Sequence, residues 1–189
     1  MKKNLFIVLF VGLSLEGFSQ FIKQGTIIGG GAFEFRTAKV KDSDSKGSSF
    51  SLMPWAGYLV MDNLAVGGLM NFTSSSSETG APSNLKTKDS DFTIGPVVRY
   101  YLDQGVFVHT QAGFGSSKSV FEVGNTKTTT KFGETKFRIG AGYAVRITDT
   151  VLFEPIIGYY AETSKDKSSD TKSTVSGLFI MGGFTIFLK

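Results

Sequence analysis

The one histidine of this 189-residue chain, His109, is its most obvious candidate for chemistry, and there is no cysteine beside it. Absence of Cys excludes a thiolate nucleophile, thiolate metal sites, a disulfide framework and lipidation of an amino-terminal Cys. A catalytic His needs a nucleophile and an acid held within hydrogen-bond reach. His109 is followed by Thr110 and Gln111, and an interior histidine satisfied by its neighbours is the simpler expectation. No group of carboxylates has metal-ligand spacing, so neither a metal nor a cofactor is expected. The Gly29-Gly30-Gly31 run opens no helix and matches no phosphate-binding loop. It is read as relief for tightly curved strands. No nucleic-acid-binding motif is present. The chain is expected not to be an enzyme.

The chemistry that remains lies in charged residues, and their placement depends on the elements that carry them. Lys2 and Lys3 precede an apolar run from Leu5 to Leu15, and Gly17-Phe18-Ser19 follows with small residues. Eleven apolar residues are too few to span a bilayer, so residues 1–19 read as an export signal, with a retained anchor helix as the alternative. Residues 20–189 then form one domain. Gly is abundant (23), Phe more so than usual (18), Pro scarce (4), and charged residues are only 19%. That balance favours many strands.

Apolar–polar alternation recurs in eight segments, at 25–36, 50–61, 64–73, 91–101, 106–115, 132–147, 151–162 and 175–188. Long polar stretches (37–49, 74–90, 116–131, 163–174) alternate with short turns holding Asp62, Asp103 and Asp149. Long connections therefore all emerge at one end. This predicts an all-β, eight-stranded antiparallel up-and-down barrel whose last strand closes on its first.

Of the 33 charged residues after residue 19, 18 fall in the long polar stretches and ten within strands. The ten are Glu34, Arg36, Asp91, Arg99, Glu134, Lys136, Arg138, Arg146, Glu154 and Glu162. Within each strand they share one parity, and successive strand residues point to opposite faces. The other parity is apolar and includes Phe33, Phe35, Ile94, Val98, Ile139, Tyr143, Phe153 and Ile157. A soluble barrel would put the apolar face inside; a membrane barrel does the reverse. Ten residues rise roughly 25 Å at the usual tilt, the height of an outer-membrane apolar band, and aromatic residues gather at strand ends. The charges are therefore expected to form a lumenal network and the apolar set to face lipid. Five acids against five bases suggest a neutral, salt-bridged plug, with Arg146 and Glu154 as a pair across the turn at Thr148-Asp149-Thr150. Ile139→Arg is expected to disrupt folding in bilayers and Gly140→Ser to be tolerated. The pattern leaves the facing of the second, third, fifth and eighth strands unassigned.

With the leader, the strand count, the loop alternation and a closing strand Val175–Lys189 holding Phe184-Thr185-Ile186-Phe187, the chain resembles the small eight-stranded outer-membrane barrels of the OmpA transmembrane-domain and OmpX type. The usual terminal aromatic is replaced by Leu188-Lys189. The resemblance implies a bacterial outer-membrane location, insertion by the barrel-assembly machinery, a monomer, and long loops facing outward. It implies a structural or surface-interaction role with a mostly plugged lumen. A narrow porin-like channel for small polar solutes and a lipid-modifying barrel enzyme are the alternatives. Enzymatic barrels of the deacylase kind carry a Ser two residues after the His, where this chain has Gln111. The polar stretches hold 11 Lys against 7 acidic residues. Partners expected on charge grounds are outer-membrane lipid and the phosphates of lipopolysaccharide, with no nucleic acid.

Overall fold

In the computed structural model, residues 23–39, 45–79, 85–124 and 126–188 are described. The proposed leader over 1–19 lies outside them. Among the described residues nine strands follow one another: β1 (Ile27–Lys39), β2 (Lys46–Met61), β3 (Leu64–Thr79), β4 (Leu85–Tyr101), β5 (Val106–Val123), β6 (Thr126–Tyr143), β7 (Val145–Arg146), β8 (Val151–Asp166) and β9 (Lys172–Leu188). All pairings are antiparallel between neighbours in the chain, apart from β6 with β8 and β1 with β9, which close the ring. Eight long strands make an up-and-down barrel, and β7 is a two-residue stub where the predicted strand 132–147 breaks at Ala144.

The tight turns use local backbone chemistry. Asn63 and Gln104 adopt φ of 66° and Gly105 φ of 83°, the left-handed conformation that reverses a chain in few residues. Thr148 Oγ1 accepts from Val151 N at 3.1 Å. Asp62 serves differently: its Oδ1 accepts from the backbone N of Gln24 at 2.9 Å, tying the segment before β1 to this turn.

The long polar stretches are mostly strand. β2 to β6, β8 and β9 run 16 to 18 residues, well past the predicted segments. In β3, Leu64–Phe72 carries the apolar outer face and Thr73–Thr79 continues the ladder with Ser, Thr and Glu. The first part rises roughly 23 Å and the second roughly 18 Å more, at about 3.3 Å per residue and a tilt near 40°. Side chains there are polar on both faces, so the alternation that marks a strand disappears while the backbone pairing persists. Cross-strand hydroxyls tie it together, as in Ser51 Oγ with Thr73 Oγ1 at 3.1 Å and Thr163 Oγ1 with Thr174 Oγ1 at 3.0 Å.

Facing is resolved for every long strand. Odd residues of β2 to β5 and β9 point inward, and even residues of β6 and β8 do so, as do Ile28 and Ala32 of β1. Trp55, His109 and Phe179 are thus lumenal. The largest buried apolar cluster, Ile28, Leu59, Ala65, Tyr101, Phe107, Ala144, Leu152 and Ile156, fills the lumen at the short-turn end. Ile94, Val98, Ile139 and Ile157 are exposed on the outside; Tyr143 and Phe153 are half-buried there, Phe153 against Phe184 at 5.4 Å between centroids. The seam between β1 and β9 pairs only from Ile27 to Ala32. Beyond it β1 stays paired only with β2 and β9 only with β8, and Phe33 (70%), Phe35 (67%), Leu178 (79%) and Ile180 (77%) are the most exposed large apolar residues of the described chain.

Candidate functional site

The lumen has two unlike halves. Near the short turns, β4 brings Arg99 inward and β8 brings Glu154, and their side chains form an ion pair only 4% and 1% exposed. Thr185 Oγ1 donates to Glu154 Oε2 at 2.6 Å and Tyr101 Oη to Oε1 at 3.4 Å. Arg99 Nε donates to His109 Nδ1 at 3.0 Å, which fixes the tautomer, so His109 Nε2–H donates to Gln111 Oε1 at 2.8 Å. The Arg99 guanidinium lies 4.0 Å from the Trp55 ring centroid and 5.1 Å from that of Phe107. Charge is neutralised, nearly every polar atom has a partner, and rings close the flanks, which is the condition under which a buried pair is tolerated. The gap left beside Trp55, Arg99, His109 and Gln111 is about 20 Å³, room for roughly one water.

Higher in the barrel, Lys136 Nζ bonds Asp91 Oδ1 at 2.6 Å, and Arg138 Nη2 bonds Glu162 Oε1 at 3.1 Å. Arg138 also reaches across to Met53 Sδ at 3.2 Å. Above this layer opens a cavity of about 240 Å³, lined by Thr73, Ser75, Asp89, Asp91, Ser117, Ser119, Glu134 and Ser164 among others. Hydroxyls serve the carboxylates: Ser117 donates to Glu134 Oε1 at 2.6 Å, Ser164 to the same carboxylate at 2.9 Å, and Ser75 and Ser119 both bond Asp89. This half is an open cup lined by hydroxyls and carboxylates.

Seven of the ten charged residues expected in the lumen, namely Asp91, Arg99, Glu134, Lys136, Arg138, Glu154 and Glu162, are placed there. The side chains of Glu34 and Arg36 lie outside the described residues. Arg146 is a correction: it is exposed at the short-turn end and pairs with Asp149 within its own turn. Glu154 finds Arg99 instead, because ring closure faces β8 toward β4 across a narrow lumen, whereas Arg146 sits past the break at Ala144. Tolerance at Gly140 is corrected too. A Cβ there would stand 2.7 Å from the Ile157 carbonyl oxygen and 3.1 Å from Ile156 Cγ2. Trp55, Tyr101, Thr185 and Asp89 escaped the sequence reading. Asp89 did so because its strand extends into what reads as loop, although it shares the parity of Asp91.

At the far end, outside the apolar band, Glu78 lies between Lys46 at 3.3 Å and Lys86. These two ammonium groups hold its carboxyl below the ordinary 4.5, chiefly through the Lys86 hydrogen bond, and Glu78 in turn raises Lys86. Glu122, bonded to Lys127 at 3.1 Å with Lys88 at 3.7 Å, is likewise held low.

The family described as an outer membrane protein β-barrel domain matches over residues 5–178. No curated protein sequence matches. Among solved structures, the translocator domain of the autotransporter NalP from Neisseria meningitidis is 11% identical, with a TM-score of 0.54 over 97% of this chain and 66% of that one. The attachment invasion locus protein Ail of Yersinia pestis is 20% identical over 87% and 99% of the two chains, at a TM-score of 0.48. Neisserial surface protein A is 16% identical over 86% and 97%, at 0.46.

Proposed function

The chain belongs to the outer-membrane β-barrel family and resides in the bacterial outer membrane; from that premise we propose that it acts as a non-catalytic structural or surface-interaction barrel whose lumen is closed at its short-turn end. The observation that carries this reading is the Arg99–Glu154 pair with its ring-and-hydroxyl shell, beside a gap of about 20 Å³. An eight-stranded barrel has an interior only wide enough for its own side chains, so one sealed layer suffices to stop solute flow. The non-catalytic part rests on His109, whose two ring nitrogens are taken up by Arg99 and Gln111 within the seal. The long-hairpin end faces outward, with the serine-lined cup open to that side.

Conductance of the purified protein in planar bilayers tests the reading. Wild type should give no stable ion-selective steps, and Arg99→Met should introduce them. Stable open conductance in wild type would replace the closed barrel with the narrow channel. On gels, the folded protein should migrate differently before and after boiling in detergent.

A further inference from the structure

The strand register sets like charges side by side on the outer surface above the apolar band. Lys118 on β5 lies directly opposite Lys131 on β6, and Lys165 on β8 directly opposite Lys172 on β9. Lys167 joins them, its backbone N bonding the carbonyl oxygen of Lys131 at 3.1 Å. Like charges directly opposite on neighbouring strands are destabilising. Of these five, only Lys165 has a carboxylate partner among the described residues, Asp170 at 2.6 Å. Farther out on the rim the lysines share carboxylates: Glu78 of β3 sits between Lys46 and Lys86, and Glu122 of β5 between Lys88 of β4 and Lys127 of β6. Lys118, Lys131, Lys167 and Lys172, without a carboxylate partner among the described residues, thus gather along β5, β6, the turn after β8, and β9.

Its height identifies what neutralises it. Lys118 is four residues beyond Phe114 on the outer face of β5, and so roughly 10 Å above it. Headgroups begin at that level, and a lysine stem can bend back along the apolar surface to reach them. We propose that this lysine face binds the phosphate groups of an anionic glycolipid in the outer leaflet. Phosphate between paired lysines turns a repulsive register into a favourable one. The inference rests on the outward orientation of the long hairpins proposed above.

Native mass spectrometry of the protein purified from outer membranes, in mixed micelles, gives the relative affinity for bis-phosphorylated lipid A, dephosphorylated lipid A and phosphatidylcholine. The bis-phosphorylated form should be preferred. Each lysine removed should weaken that preference about fivefold, so Lys118→Gln/Lys131→Gln should lose it about 25-fold, while Lys88→Gln/Lys127→Gln, which removes the two lysines that share Glu122, should change it little. Thermal unfolding gives a second readout with a change of sign: Lys118→Gln should raise the midpoint in phosphatidylcholine vesicles and lower it in vesicles containing bis-phosphorylated lipid A. Equal losses from both double variants, retention by Lys118→Gln/Lys131→Gln, or equal competition by inorganic pyrophosphate would each overturn the assignment. A Ser169→Cys label separates the two readings. If it is inaccessible on intact cells, the orientation falls. If it is accessible and no lipid preference is found, the lysine assignment falls alone.

Discussion

The two ends of the lumen use the same residue types to opposite effect. At the short-turn end Arg99 and Glu154 are almost wholly removed from water, and each depends on the other, on Thr185 and on the Trp55 face. At the long-hairpin end Glu134 and Asp89 are served by serine hydroxyls around an open cavity of about 240 Å³. Solvent access makes the difference. A carboxylate beside water loses little when a partner is deleted, whereas one sealed behind rings loses its only compensation.

Deleting half of the sealed pair therefore has the largest expected effect. Glu154→Leu leaves Arg99 buried and uncompensated and should cost about 3–5 kcal/mol, with Arg99→Met/Glu154→Leu recovering most of it. Urea unfolding in lipid vesicles measures both, and additivity of the two single changes would remove the coupling. Ser119→Ala at the open end should shift the same midpoint by under about 1 kcal/mol; a larger loss would show that the cup is as dry as the seal.

The wall separates along the same axis. Ile139→Arg, on the outer face at bilayer depth, should cost about 2–4 kcal/mol, whereas Thr163→Arg on the protruding part of β8 should cost almost nothing. Folding yield in bilayers distinguishes the two, and equal yields would misplace the apolar band. Gly140→Ser presses on the Ile157 carbonyl from within and should cost about 1–3 kcal/mol. An unchanged unfolding midpoint would show that β6 and β8 separate freely there.

The smallest effect concerns the protruding rim and pH. Glu78 is held below its ordinary 4.5 in the folded rim, so its pairing contributes fully above that value and fades as pH falls through the lowered one. Amide exchange near Glu78 should quicken as pH falls below 4.5, after correction for intrinsic rates, while amides flanking Arg99 stay protected. Glu78→Gln should abolish the pH dependence at the rim, and an unchanged profile would remove Glu78 as its source.

Period-two alternation over Phe92–Tyr101 and Glu134–Tyr143 is a local property, so the sequence by itself determined the strand number, the ring topology and which face of β4, β6 and β8 carries charge. The rim was not legible because Ser, Thr and Glu occupy both faces of Thr73–Thr79, and Thr and Lys both faces of Thr126–Lys131; with no buried side, the backbone ladder continues without a periodic signal. Nor was the seal. Parity shows that Arg99, Glu154 and Arg146 belong to charged faces, but a strand pattern carries no information about position across a closed ring. Arg99 and Glu154 are 55 residues apart in the chain, and only closure of β1 on β9 decided that they meet while Arg146 turns away to Asp149.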